Sequence, residues 1–326
     1  MLGVLQGFAV ILGIIGAGYL TAAFGVVKGE QRRVLNNVAF YVATPALLFE
    51  VLRSSDPSVL LSPVILVTSA TALVVAALFV LVSRLFFKRD LAETTLGATC
   101  SGYVNSNNLG LPVAVYILGD AAYVAPLLLV QLLIFAPVIL AILEAKRTGG
   151  ARALGAGATR RAAHGGRARR GALVALGRAA SNPIILASLA GLLFALFDIP
   201  VPDIVAEPVA MLGAAAIPMV LLSFGISLRG QRALQRGTGR IAVFTASALK
   251  VLAMPLIAWA IAAAVGLGPH ETFVAVTIAA LPTAQNVYNY AATYQRGEIM
   301  VRDTVFLTTF ASLPVIAGVS LLLGGG

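Results

Sequence analysis

Long apolar segments, separated by short polar or basic ones, run along the whole chain. A transmembrane helix needs about 20 predominantly apolar residues, and segments of about this length predict ten membrane-spanning helices. They lie at residues 4–24, 34–53, 60–84, 94–118, 123–143, 181–199, 204–227, 241–265, 272–294 and 303–323. The first segment has no basic residues before it and no evident cleavage site, so we interpret it as a membrane span and not as a signal peptide.

The composition supports this interpretation. Of the 326 residues, 59% are hydrophobic and 11% are charged, and the mean hydropathy is +0.95. Soluble domains contain about 25% charged residues, so an all-α polytopic membrane protein is predicted. The net charge of +10 would suggest a nucleic-acid partner in a soluble protein. Here the positions of the basic residues indicate membrane topology instead, and we expect no nucleic acid.

Basic residues concentrate in alternate loops. The odd-numbered loops between the predicted spans contain 21 of the 23 lysines and arginines. Because basic loops stay in the cytoplasm, we expect a multi-pass plasma-membrane protein with both termini outside. The longest of these loops, at 146–180, is rich in Gly, Ala and Arg. We expect it to be a flexible cytoplasmic tether, with binding to anionic lipid headgroups as the alternative.

The same loop divides the predicted spans into five and five. Pro45 and Pro218 are 173 residues apart, and Pro112 and Pro282 are 170 residues apart. Similar offsets suggest a duplication. Because five is odd, the second copy is inserted upside down relative to the first, which gives an inverted repeat of ten transmembrane helices. The predicted domains are a first five-helix repeat at 1–145, the loop at 146–180 and a second five-helix repeat at 181–326.

Two predicted spans contain polar side chains and a proline near their middle. The fourth includes CSGYVNSNNLGLPVAVYIL (100–118), and the ninth includes AALPTAQNVYNYAATY (279–294). Proline removes a backbone donor and crowds the preceding helical turn, and unpaired backbone groups are costly in hydrocarbon. We therefore predict helices broken at Pro112 and Pro282 that face an interior cavity, as in many secondary transporters. The alternative is kinked helices whose asparagines only hold neighbouring helices together.

The candidate substrate contacts lie in these two spans and at one buried lysine. Each broken span contains two asparagines that are three residues apart and share a helical face. Lys250 lies roughly 15 Å into the bilayer, where a cation marks a site for an anionic substrate or a paired charge. Snorkelling toward the cytoplasm is the alternative. Glu50 is expected to form a local pair with Arg53. The expected substrate-binding residues are Asn105, Asn108, Pro112, Pro282, Gln285, Asn286, Asn289 and Lys250.

The inventory of reactive residues argues against other kinds of chemistry. The chain contains one cysteine, Cys100, and two histidines, His164 and His270, neither of which lies in a predicted span. An intramolecular disulfide and a thiolate metal cluster are therefore excluded. A membrane-embedded enzyme would have no histidine base, and no nucleotide-binding fingerprint is present. We expect no enzymatic activity, no cofactor and no metal.

Four segments resemble the auxin efflux carrier family, which includes plant auxin exporters and bacterial carboxylate permeases. They are LNNVAFYVATPALLF (35–49), NSNNLGLP (105–112), LGAAAIPMVLLSFGISL (212–228) and ALPTAQN (280–286). Together with ten predicted spans and a central basic loop, the resemblance covers essentially the whole chain.

This resemblance implies two inverted five-helix repeats, as in the related bile acid transporters. Spans 1, 2, 6 and 7 would form a scaffold, and spans 3–5 and 8–10 would form a moving transport domain. Spans 4 and 9 would cross as broken helices beside the substrate. By the motif match, Asn105 would contact the substrate, and Pro112 and Pro282 would be the crossover prolines. Gln285 and Asn286 are more polar than the plant proteins usually are there, which favours a smaller, more polar substrate than auxin.

We therefore expect a secondary transporter that moves a small organic carboxylate, auxin-like, malate-like or malonate-like, by alternating access. A sodium-coupled organic-anion symporter is the alternative within this class, and a channel or sensor is the alternative outside it. Membrane lipid is an expected partner, and a homodimer is left open.

Overall fold

The computed structural model describes residues 2–27, 29–54, 62–87, 89–143, 182–229 and 239–324. Within these ranges the chain is helical, and extended backbone pairs at one isolated bridge, between Val104 and Thr283. Six of the described helices are long and apolar enough to cross a membrane. The predicted class, an all-α multi-pass membrane protein, is confirmed. The basic loop predicted at 146–180 lies outside the described residues.

The helices follow the predicted apolar segments. In chain order they are α1 (Leu2–Ala23), α2 (Glu30–Ser54), α3 (Pro63–Phe87), α4a (Leu91–Gly102), α4b (106–118), α5 (Ala121–Leu143), α6 (Pro183–Leu196), α7 (Asp203–Leu228), α8 (Arg240–Val265), α9a (Pro269–Ala280), α9b (Asn286–Tyr294) and α10 (Glu298–Leu323). The six long helices are α2, α3, α5, α7, α8 and α10. The remaining predicted spans fall on α1, on α6 and on the two interrupted helices, α4 and α9.

Local sequence sets the start of several helices. Ser62 and Asn182 each precede a proline, and each side-chain oxygen accepts the backbone N–H two residues later, at 3.3 and 2.9 Å. The Asp90 carboxylate accepts the Glu93 N–H at 2.8 Å. Ser, Asn and Asp are favoured N-cap residues, and proline is favoured in the first helical turn. The starts of α3, α4a and α6 therefore need no tertiary contact.

The described helices pack in two groups. In one group α1 packs on α7, and α2 packs on α6 and α7. In the other, α3 packs on α4a, α8 and α9a, and α10 packs on α8, α9a and α9b. Glycine allows the closest approaches, because a Cβ at Gly225 would meet the Ile15 carbonyl oxygen and one at Gly102 would meet that of Ala72. Small residues commonly bring the backbones of membrane helices together in this way.

The last two turns of helix α9a are enclosed by other helices. Residues 273–280 are all buried, and α3, α8 and α10 pack against this helix. A helix that is apolar all round is suited to such a position. The enclosure places the end of α9a, and the break that follows it, in the interior of the protein.

The break in α4 lies before the predicted position. Residues 103–105 are extended, whereas Pro112 lies inside α4b. α4b opens with a wide π-type turn in which the Leu111 N–H donates to the Ser106 carbonyl oxygen. Such local adjustments re-satisfy the backbone around a membrane proline. The prediction that Pro112 breaks the helix is therefore wrong, whereas Pro282 lies in the break of α9, as predicted.

Candidate functional site

The two interrupted helices cross at their breaks. The Asn105 N–H donates to the Pro282 carbonyl oxygen at 2.8 Å, and the Ala284 N–H donates to the Tyr103 carbonyl oxygen at 3.1 Å. These two bonds flank the bridge between residues 104 and 283. Each break thereby provides hydrogen-bond partners for backbone groups of the other. Backbone groups in the interior of a membrane protein need such partners, because water is scarce there.

Buried side chains satisfy further backbone groups at this crossing. The Thr283 hydroxyl donates to the Cys100 carbonyl oxygen at 2.6 Å, and the Thr283 N–H donates to the Thr308 hydroxyl oxygen at 3.2 Å. The Gln131 side-chain amide donates to the Val104 carbonyl oxygen at 3.0 Å. Helices α5 and α10 thus supply the partners that the interrupted helices lack, and they hold the crossing in one geometry.

Lys250 also donates a hydrogen bond to a backbone group near this crossing. Its side chain is fully buried in α8, and its Nζ atom donates to the Ala279 carbonyl oxygen and lies near the Met254 sulfur, both at 2.9 Å. Ala279 is in the last turn of α9a, where carbonyl groups lack intrahelical partners, and Lys250 supplies a partner for one of them. The snorkelling alternative is therefore wrong. Lys250 is also not among the residues that line either cavity described below.

A large cavity of about 510 Å³ opens beside the crossing. Helices α2 and α7 form one side of it, and α4b, α9b and α10 form the other. Its lining is predominantly polar and carries more positive than negative side chains. The lining residues are Glu30, Arg32, Arg33, Asn36, Ala39, Phe40, Asn107, Asn108, Val220, Ser227, Gln285, Asn286, Tyr288, Asn289, Arg302 and Val305.

Three amides in this wall form a chain that joins the two interrupted helices. The Asn107 amide nitrogen donates to the Asn108 side-chain oxygen at 2.9 Å, and the Asn108 nitrogen donates to the Gln285 side-chain oxygen at 3.1 Å. We call Asn107, Asn108 and Gln285 the amide cluster. It lies at the N-terminal ends of α4b and α9b, where the helix dipole favours an anion.

A small cavity of about 10 Å³, large enough for about one water molecule, lies next to the amide cluster. Asn105 and Ser106 line it and are 3% and 1% exposed. The Asn105 side-chain oxygen accepts the Asn108 N–H at 3.1 Å. Its side-chain nitrogen and the Ser106 hydroxyl have no partner among the described residues. Unpaired buried polar groups are rare in folded proteins, so these two donors are available to a bound molecule.

The structure thus brings most of the expected site residues together, over two adjoining cavities. Asn108, Gln285, Asn286 and Asn289 line the large cavity, and Asn105 lines the small one with Asn108 and Asn286. The two prolines, Pro112 and Pro282, line neither cavity and shape the backbone instead. Asn107 was not among the expected site residues, yet it lines both cavities, in the wide turn with which α4b begins.

Sequence reasoning missed Arg302 and the side chains that support the crossing. The apolar segment starts at 303, so Arg302 counted as a loop residue, but α10 begins five residues earlier and turns Arg302 into the cavity wall. The expected Glu50–Arg53 pair is confirmed, with 2.6 Å between the two charged groups.

Comparison with known proteins gives the family. A family model described as membrane transport protein matches residues 4–320. The chain is 30% identical over 318 residues to a protein of Rhizobium meliloti (strain 1021) named "Putative malonate transporter", covering 96% of this chain and 94% of that one. It is 23% identical over 320 residues to an uncharacterized transporter of Methanocaldococcus jannaschii, covering 94% and 95%. The chain therefore belongs to the membrane transport protein family of the auxin efflux carriers and is a multi-pass membrane transporter.

Proposed function

We propose that this protein is a secondary transporter that carries a small organic carboxylate across the plasma membrane by alternating access. The observation that carries the proposal is the large cavity, which lies between the two packed groups of helices and reaches the amide cluster at the crossing. A carrier needs a site that both of its halves can enclose, and an interface between helix groups meets that need.

The chemistry of the cavity supports an anionic substrate. The amide cluster lies at the N-terminal ends of α4b and α9b, where the helix dipole favours negative charge. Arg32, Arg33 and Arg302 line the same cavity, against one carboxylate, Glu30. A cleft lined mostly by one sign of charge raises the local concentration of oppositely charged ligands. Asn108, Gln285 and Asn286 line this cavity and orient the bound carboxylate through hydrogen bonds, and Asn105 holds the backbone of Asn108 in place.

The packing supports a moving part and a fixed part. We propose two inverted five-helix repeats, residues 1–145 and 181–326, joined by a basic loop. Helices α1, α2, α6 and α7 form the scaffold, and the group of α3, α4, α5, α8, α9 and α10 rocks against it, as in other inverted-repeat carriers. Arg32, Arg33 and Arg302, which line the cavity, lie near the helix ends that the positive-inside rule assigns to the cytoplasm, so we propose that this conformation opens to the cytoplasm.

The polar lining supports a small, hydrophilic carboxylate. Amide and guanidinium groups outnumber aromatic ones in the cavity wall, where Phe40 and Tyr288 are the aromatic residues. An auxin-like ring would leave many of these groups without partners, which is costly. The name of the Rhizobium meliloti relative refers to malonate, and we propose a malonate- or malate-like substrate here.

The proposal is tested in proteoliposomes that contain the purified protein. Labelled short carboxylates are supplied with and without unlabelled substrate inside, and with imposed proton or sodium gradients. We expect saturable uptake and accelerated counterflow, and the gradient that drives net uptake identifies the coupling ion. Flux that does not saturate and shows no counterflow would indicate a channel and contradict the proposal.

A matched pair of variants locates the site in the same assay. Asn286→Asp places a negative charge in the cavity at nearly constant volume, so carboxylate uptake should fall at least tenfold. Asn182→Asp makes the same change at the N-cap of α6, where Asp serves as well as Asn, and uptake should be unchanged. Equal uptake by both variants would place the substrate elsewhere.

A further inference from the structure

Arg302 differs from the other charged residues of the large cavity in how it is held. It lies in the second turn of α10, its side chain is 31% exposed, and it lines the cavity together with the amide cluster. Its Nε and Nη2 atoms donate to the Asp303 Oδ1 atom at 3.0 and 2.9 Å. The Asp303 side chain is only 3% exposed, so a buried carboxylate anchors the guanidinium.

This anchor leaves part of the guanidinium for a ligand. Arginine carries five N–H donors in a planar fork, and the two bonds to Asp303 use the Nε side. The Nη1 donors and the second Nη2 donor remain, and this pair of nitrogens matches the two oxygens of a carboxylate. A guanidinium that is already fixed loses little conformational entropy when it binds.

The two arginines of α2 are different. Arg33 is exposed and Arg32 is half-buried, and they extend from the opposite side of the cavity. An exposed arginine attracts anions at long range but is weakened by solvent and salt. Arg302 therefore fits specific recognition, whereas Arg33 fits electrostatic steering.

We propose that Arg302 binds the second carboxylate of a short dicarboxylate whose first carboxylate lies at the amide cluster. A monocarboxylate engages one of these two positions, and a dicarboxylate engages both. Arg302 is thus the residue that selects doubly charged substrates. This inference rests on the proposed function, since it assumes that a carboxylate binds in the large cavity.

The experiment compares two ligands that differ in one charge. Malonate and its monoamide, malonamate, have nearly the same size, and the amide removes one carboxylate. Dissociation constants are measured by calorimetry on purified protein at a pH where both malonate carboxyls are ionised. Wild type should prefer malonate. Arg302→Gln should weaken malonate roughly ten- to a hundred-fold and malonamate by less than about threefold, so that the preference disappears.

Three further variants make the result specific. Arg302→Lys keeps the charge and should restore part of the preference. Arg33→Gln removes an exposed charge from the same cavity. Solvent and salt screen that charge, so this variant should weaken malonate by less than about threefold and should keep the preference for malonate. Since Arg302→Gln leaves Asp303 buried without this partner, the double variant Arg302→Gln/Asp303→Asn provides a neutral pair. If the single variant folds poorly, the double variant replaces it in the measurement, and it should show the same loss of preference for malonate.

The outcomes separate the two proposals. If wild type binds both ligands and Arg302→Gln retains the preference for malonate, or weakens both equally, the role of Arg302 is wrong and the carboxylate site stands. The same holds if wild type binds both ligands equally well. If wild type binds neither malonate, malonamate nor any carboxylate of the uptake panel, the proposed function itself fails.

Discussion

Replacing Thr283 by Val tests whether side chains hold the two broken helices together. Thr283 is fully buried at the crossing, and its hydroxyl donates to the Cys100 carbonyl oxygen at 2.6 Å. Cys100 lies in the last turn of α4a, where carbonyl groups lack intrahelical partners. Valine has nearly the same shape as threonine, so the substitution removes this hydrogen bond and leaves the carbonyl oxygen buried and unpaired.

The expected loss of stability follows from two bounds. Leaving a buried acceptor unpaired costs about 1–3 kcal/mol. Hydrogen bonds between membrane helices average about 0.6 kcal/mol and reach about 1.7 kcal/mol, because the unfolded chain in the membrane also finds partners. The Thr283 bond is short and fully buried, so it belongs near the upper end of the membrane range. We expect Thr283→Val to lower the free energy of unfolding by about 1–2 kcal/mol.

The assay is equilibrium unfolding by SDS in mixed micelles, with Thr304→Val as the matched control. Thr304 is equally buried, but its hydroxyl donates to the Met300 carbonyl oxygen of its own helix, at 2.8 Å. Such a bond adds little to a helix that already pairs that oxygen, so Thr304→Val should change the free energy by less than about 0.5 kcal/mol. If both variants lose the same free energy, Thr283 does not hold the crossing.

Three further predictions concern other parts of the fold. Lys250→Met should leave the dissociation constant of a carboxylate within about threefold of wild type, because the ammonium contacts a carbonyl at the end of α9a; a tenfold loss in calorimetry would return Lys250 to the site. Gly102→Leu should lower the thermal unfolding temperature in detergent, because its side chain would meet the Ala72 backbone, and an unchanged temperature would contradict this packing. For the orientation, a background without the native cysteine is used: Gly268→Cys should react with an impermeant maleimide from outside, and a cysteine in the 146–180 loop should react only from the cytoplasm.

Much of the fold follows from local properties of the sequence. Segment length and hydropathy locate the apolar helices because crossing a bilayer requires about 20 apolar residues wherever they occur in the chain. The break at Pro282 and the polar residues after it are equally local, and they identify one half of the site. The start of α6 at an Asn–Pro pair is a further example.

The remaining features depend on contacts between distant residues. The break in α4 lies where residues 103–105 pair with residues 282–284, which are distant in sequence. Pro112 does not mark the break, because the π-type turn before it lets the helix continue through the proline. From the sequence, a lysine within a membrane span indicates a site for an anionic substrate. In the structure, the partner of Lys250 is a backbone carbonyl oxygen 29 residues away. Arg302 faces the cavity because of how α10 packs, which its neighbours in sequence do not reveal.

The most direct test of the carboxylate site is the affinity of purified Asn286→Ala for a bound carboxylate. Asn286 lines both cavities and begins α9b, directly after Gln285 of the amide cluster. A hydrogen bond to a charged group is worth about 1.5–3 kcal/mol, so the affinity should fall roughly ten- to a hundred-fold. The thermal unfolding temperature should stay near that of wild type, because cavity water can replace the lost amide. Wild-type affinity in a folded Asn286→Ala protein would contradict a carboxylate site at the crossing.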